Sequence, residues 1–322
     1  MDALILRILG ARSATIPEIA DHCSTSQESV RSRLQALEQA GFTFTVHPVL
    51  GVTLSESPKH LIGDFILSRI PESRAPQSIS VYQSTRSTND LAHQAAINNL
   101  PTPAVFLAEQ QTAGRGRNAK QWASDPYLGL WMSILLKPTQ PTLLWPRITT
   151  AAATLVADTL RSNLNLPVTI KWPNDLWIGP AKVAGIIAET GTSAGGPYAV
   201  LGIGINVLHS LSDFPPEIRS TATSLKIQTP AAICRNALAS QLLESLSRLD
   251  ESISDRGFPA TLGRARTLSC VLHQTVKLSI NGESLSGLAS ELNSEGHLIL
   301  ITADGGERIL HSGEVTHIRP SC

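Results

Sequence analysis

Between residues 80 and 268 short apolar runs are interleaved with longer helical patterns, and this mixture limits the fold more than any other feature of the chain. The runs lie at 104–109, 130–136, 168–171, 183–189 and 199–207. Each has the length of a strand. Helical spacing recurs at 89–98, 145–164 and 231–253. Strands and helices sharing one segment need a shared core, so the expectation is an α+β domain around a mixed sheet.

The flanks differ from this centre. In residues 1–62, Leu4, Ile5, Ile8 and Leu9 recur at helical spacing, and Pro17 sits near the first turn of a second helix. Thr25 and Glu28 have capping-box spacing for a third helix, with Val30, Leu34 and Leu37 inward and Gly41 at its end. The alternation over 42–46 and 51–54 predicts a hairpin turning at His47-Pro48. Three helices and a hairpin make a winged helix-turn-helix pattern. Residues 55–80, with Pro58, Pro71 and Pro76 among many serines, read as a linking stretch with a short helical pattern at 61–70, and its part at 63–80 is counted with the central domain. Residues 269–322 are strand-rich at 276–280, 286–292, 298–302 and 307–310. Turns at Asn281-Gly282 and Asp304-Gly305-Gly306 join some of these strands, as in a small β-barrel. The expected domains are 1–62, 63–268 and 269–322.

Composition excludes several classes. Apolar residues are 42% and charged residues 16%, as in a soluble globular chain. No apolar run reaches the length of a membrane helix, and no cleavage site follows the apolar start, so a cytoplasmic protein is expected. Cys23, Cys234, Cys270 and Cys322 are scattered without metal spacing and are read as free thiols. Net charge is zero, but residues 1–62 stand near −1, 269–322 near −3 and the middle near +4. The positive surplus therefore falls where an anionic ligand would bind.

Five short motifs carry chemistry. Gly114-Arg115-Gly116-Arg117, followed by Trp122, combines close backbone approach with two fixed cations suited to phosphate or carboxylate. Lys171-Trp172-Pro173-Asn174-Asp175 turns sharply at a strand end and presents a cation, an amide and a carboxylate together. Lys182 opens the apolar strand that runs to Glu189. Ser87-Thr88-Asn89 precedes a helix, where it serves as an N-cap or holds a small polar ligand. Gly202 and Gly204 inside a strand mark close approach of a side chain or a ligand.

Taken together and in this order, these motifs resemble the biotin–protein ligase family, in particular its bifunctional members that double as biotin operon repressors. The resemblance runs the length of the chain. It implies a winged helix-turn-helix, a catalytic domain and a small SH3-like barrel. It also implies ATP-dependent adenylation of biotin, with Mg²⁺, followed by transfer to a lysine of a biotin carboxyl carrier protein.

Ser87, Thr88, Asn89 and Gln111 match the family's biotin contacts. Arg115, Gly116 and Arg117 match the loop over biotin and adenylate, and Lys182 the lysine near carboxylate and α-phosphate. Arg117 and Lys182 are the expected catalytic cations. Lys120, Trp122, Lys171, Asn174, Asp175 and Asn206 fall on the ATP or adenylate side, with Asp175 as the Mg²⁺ ligand. Gln27, Arg31 and Arg33 would face operator DNA, and adenylate binding would promote a homodimer. Ala119 and Lys120 depart from the family's glycine and arginine; lysine keeps the charge but loses the bidentate fork. Two other readings compete: a lipoate–protein ligase, which the Gly-Arg-Gly-Arg and Lys-Trp-Pro-Asn-Asp motifs disfavour, and a biotin-sensing DNA-binding regulator with little or no ligase activity.

Overall fold

The computed structural model describes residues 1–280 and 283–319. The first unit holds α1 (Asp2–Ala11), α2 (Ile16–His22) and α3 (Gln27–Gln39), then the antiparallel hairpin of β1 (Thr43–His47) and β2 (Gly51–Glu56). Ile5, Leu6, Leu9, Ile19, Val30, Leu34 and Leu37 form its core. The third helix starts one residue later than its sequence suggests. Ser26, not Thr25, is the N-cap and accepts from the Ser29 N–H. The capping box belongs to α2 instead, where Thr15 and Glu18 satisfy each other. Gly41 follows α3 with a φ of +93°, a conformation open to glycine without strain.

The centre runs through α4 (Gly63–Ser68), β3 (Ser78–Thr85), α5 (Thr88–Ile97), β4 (Ala104–Gln111), β5 (Gly129–Leu136) and α6 (Ile148–Leu164). It continues with β6 (Val168–Lys171), β7 (Asp175–Ile178), β8 (Ala181–Ser193) and β9 (Gly196–Asn206). It closes with α7 (Leu225–Gln228), α8 (Arg235–Leu246), α9 (Leu249–Ile253) and α10 (Phe258–Leu268). The strands form one mixed sheet in the order β3-β4-β5-β9-β8-β7-β6, with β3 parallel to β4 and the other neighbours antiparallel. Alanines 151, 152, 153 and 157 give α6 a smooth buried face in the main core. The helical pattern at 231–253 resolves into two helices broken at Ser247 and Arg248. Strands β3 and β7 and helices α7 and α10 are additions to the elements expected in this unit. Strand β3 is only half-buried, so it lacks the apolar run of a central strand.

The last unit is a five-stranded antiparallel sheet. Its strands are β10 (Thr275–Ile280), β11 (Glu283–Leu292), β12 (Leu298–Thr302), β13 (Glu307–Leu310) and β14 (Glu314–Arg319), in the order β13-β12-β11-β10-β14. Its inward residues join the main core rather than forming their own. The expected Asn281-Gly282 turn and Cys322 lie outside the described residues. Cys23, Cys234 and Cys270 are free thiols. Among the described residues no helix is long and apolar enough to cross a membrane.

Candidate active site

The polar end of the site is built where α5 begins. Ser87 is the N-cap of α5 and accepts from the Asn89 N–H, which buries Ser87, Thr88 and Asn89 over the sheet. Gln111, the last residue of β4, accepts from the Thr88 N–H at 2.8 Å and the Thr88 hydroxyl at 3.1 Å. Its amide donates to Ser124 Oγ at 2.9 Å. Ser133 lies 2.7 Å from the Thr88 hydroxyl and donates to Asn89 Oδ1 at 2.6 Å. Sequence reasoning missed Ser133; the one signal was a lone hydroxyl inside the apolar run 130–136.

The Gly-Arg-Gly-Arg segment folds back on itself. Trp122 N–H donates to Gly114 O at 2.9 Å, and Gly116 N–H to Lys120 O at 2.7 Å. A Cβ on Gly114 would meet Trp122 O at 2.6 Å, so this turn needs glycine. Arg115 pairs with Asp90 and lies 3.6 Å from Glu189. Arg117 donates to Asn174 Oδ1 at 3.1 Å and to Gly313 O at 3.3 Å, tying the loop to both flanking sheets. Burial lowers the pKa of its guanidinium, with Asp175 and Glu314 opposing. Lys120 is exposed and pairs with Glu314. Trp122 packs against Gly185 and Gly204, where no Cβ intervenes. Its indole N–H is buried over Gly204 without a partner among the described residues.

The third wall is the β6–β7 hairpin. Its turn contains the cis Trp172-Pro173 bond. Asn174 is buried and donates to Ile186 O at 2.8 Å, which fixes the face it shows to Arg117. Asp175 pairs with Lys182 Nζ at 2.8 Å, and that ammonium lies 5.0 Å from the Trp122 ring. Lys171 Nζ lies 4.1 Å from the Trp177 ring, and burial lowers the lysine's pKa. Asn206 donates to Thr223 O at 3.0 Å.

These walls enclose one cavity of about 510 Å³. Ser87, Thr88, Asn89, Gln111, Arg115, Gly116, Arg117, Lys120, Trp122, Lys171, Asn174, Asp175, Lys182 and Asn206 all line it. His209 and Phe214, which the sequence gave no reason to select, line it too. The cations are partly desolvated, so an anion entering here gains more than it would in water. A larger groove of about 710 Å³ involves Asp158, Arg161 and Arg264 and contains none of the motif residues. Gln27, Arg31 and Arg33 are exposed on α3, away from the cavity. Arg33 lies 3.7 Å from Asp2 of α1.

Residues 81–206 match the Biotin/lipoate A/B protein ligase family. The biotin–[acetyl-CoA-carboxylase] ligase of Mycobacterium tuberculosis is 32% identical over 249 residues, covering 76% of this chain and 90% of the relative. The bifunctional ligase/repressor BirA of Bacillus subtilis is 29% identical over 295 residues, covering 91% of this chain and 90% of the relative. Among solved structures, the Aquifex aeolicus biotin protein ligase in complex with biotin and ATP is 26% identical with a TM-score of 0.64. That match covers 76% of this chain and 100% of the other. The fold, the shared cavity and these relatives agree, and the chain belongs to the biotin–protein ligase family.

Proposed function

We propose that the protein adenylates biotin with ATP and transfers the biotinyl group to a lysine of a biotin carboxyl carrier protein. The observation that carries this reading is the single cavity on which the Ser-Thr-Asn, Gly-Arg-Gly-Arg and Lys-Trp-Pro-Asn-Asp motifs and Lys182 converge. In the first step a biotin carboxylate oxygen bonds to the α-phosphorus of ATP, and pyrophosphate leaves. In the second the lysine amine attacks the biotinyl carbonyl, and AMP leaves. Carboxylate and triphosphate repel each other, so fixed cations must offset that charge. Arg115, Arg117 and Lys182 supply them. Ser87, Thr88, Asn89 and Gln111 orient biotin. Lys120, Trp122, Lys171, Asn174 and Asn206 line the adenylate side. A loop closed over the mixed anhydride keeps water from it.

Asp175 fits a Mg²⁺ role. It is a half-buried carboxylate on the cavity wall, and Mg²⁺ in nucleotide sites takes one or two carboxylates plus phosphate oxygens and water. Bound there, the ion would neutralise phosphate charge.

The N-terminal unit supports a second role as a winged helix-turn-helix repressor. Gln27 and Arg31 are exposed one turn apart on α3, the position of a recognition helix. The similarity to proteins named ligase/repressor points the same way. In this reading residues 1–62 bind operator DNA, 63–268 are catalytic with a linker at 63–80, and 269–322 form an SH3-like barrel. Biotinyl-AMP promotes the homodimer, and the protein works in the cytoplasm. The deciding experiment is biotin transfer to a carrier domain with ATP and Mg²⁺. Labelling by wild type and its loss in Lys182→Ala are expected. No labelling by folded wild type would overturn the ligase and favour a biotin-sensing regulator.

A further inference from the structure

Three donors converge on one oxygen of Glu189. Asn89 Nδ2 lies 2.7 Å from Oε2, His93 Nε2 3.0 Å and Arg115 Nη2 3.6 Å. The Asn89 amide is fixed at both ends, because its Oδ1 accepts from Ser133. A Cβ on Gly202 would come within 2.4 Å of that Oδ1, so the amide fills the space above this glycine. His93 is itself steadied by the Tyr198 hydroxyl, 3.2 Å from Nδ1. Burial alone would raise the pKa of Glu189. Hydrogen bonds from His93 and Asn89, with the Arg115 charge, outweigh it and hold the carboxyl below its usual range.

Arg115 is occupied in this arrangement. Its two terminal nitrogens face Asp90 and Glu189, so the edge that would clasp a ligand anion is in use. The Asp90 pair is exposed and the Glu189 pair only partly covered, and pairs still open to water are weak and readily exchanged. We infer that Glu189 is a positioning residue with two separable roles: it orients Asn89 in the biotin pocket, and with Asp90 it holds Arg115 until a ligand anion displaces it. This rests on the reading of the cavity as a biotin adenylation site.

The test measures steady-state adenylation with biotin varied, and equilibrium binding of biotinyl-AMP, for wild type and three variants. Glu189→Gln keeps an acceptor oxygen for Asn89 and removes the charge. Its biotin KM should stay within about threefold of wild type, while biotinyl-AMP binds about fivefold tighter. Glu189→Ala loses the acceptor, so biotin KM should rise about tenfold with kcat within about threefold. Asp90→Asn leaves Asn89 alone and should tighten biotinyl-AMP as Glu189→Gln does. If Glu189→Ala melts early, Glu189→Gln and Asp90→Asn still decide the hold on Arg115, and a biotin KM raised about tenfold in Glu189→Gln, where the acceptor is kept, overturns the Asn89 role. Equal biotin KM in the Gln and Ala variants, or no tightening in either Glu189→Gln or Asp90→Asn, overturns the inference. Wild type that forms no biotinyl-AMP overturns both this inference and the function it rests on.

Discussion

Gly185 on β8 and Gly204 on β9 stand opposite each other in register, and the indole of Trp122 lies against both. A Cβ on Gly185 would sit 2.9 Å from Trp122 Cζ3, and one on Gly204 2.7 Å from Cε2. Real side chains do not approach so closely, so Gly204→Ala must move the ring. The ring also faces the Lys182 ammonium. The expected result is an ATP KM raised about tenfold, with a smaller change in biotin KM. Pyrophosphate release, with each substrate varied in turn, separates the two. An equal rise in both would mean that the ring does not belong to the nucleotide side alone.

Arg117 reaches from its loop to Asn174 and to the Gly313 carbonyl, so one side chain joins three parts of the chain. Arg117→Gly cuts these ties and removes a cation beside the anhydride. The variant should release biotinyl-AMP and label lysines on a bystander protein at least about tenfold more than wild type. Mass spectrometry of added serum albumin reads the labelling. Adenylate retained as firmly as in wild type would contradict the tether.

The sequence exposed those parts of the site whose chemistry is unusual for their position. Two arginines between glycines, and a lysine, an amide and a carboxylate around a proline turn, stand out in any segment. Gly204 was legible as a place of close approach, and the indole of Trp122 is what approaches. Ser133 and His93 were not legible, because a hydroxyl in a strand and a histidine on a helix have many uses. The pairing of β5 with β9, and of β9 with β8, brings Ser133 and Glu189 beneath Asn89, and His93 reaches Glu189 from the next turn of α5. Strand β3 escaped for another reason: its half-buried residues give no apolar run. The run at 231–253 looked continuous because apolar spacing persists across Ser247 and Arg248, while the backbone breaks there.

Glu109 and Arg235 form an ion pair with almost no exposure, 0% and 3%. The pair also clamps the chain leading into α4. Leu61 N–H donates to Glu109 at 2.6 Å, and Arg235 donates to Lys59 O at 3.1 Å. Arg235→Ala would leave a buried carboxylate unpaired and cost about 3–5 kcal/mol. The double variant Glu109→Leu with Arg235→Met removes both charges and should lose less. Urea unfolding of the three proteins gives the comparison. A double variant weaker than the single would show that the pair, with the backbone bonds it makes to Leu61 and Lys59, stabilises the fold.

His209 is 2% exposed and stacked on Phe214, with ring centroids 5.0 Å apart at 10°. Its Nδ1 is buried without a partner among the described residues. Burial holds its pKa below the ordinary 6.5, with Asp125 and Asp213 opposing. The folded chain therefore binds this proton more weakly than the unfolded chain. The resulting stability is complete above about pH 6.5 and is lost as pH falls through the lower folded value. Burial likewise lowers the pKa of His297, which contributes in the same direction. Wild type should thus lose melting temperature between pH 7.5 and 5.5. His209→Phe, which keeps the stack and cannot take a proton, should lose less. Carboxylates with lowered pKa values, such as Glu189, act further toward acid and leave this window largely to histidine. Equal losses in the two proteins would mean that His209 takes up its proton without cost, against its burial between Trp131 and Phe214.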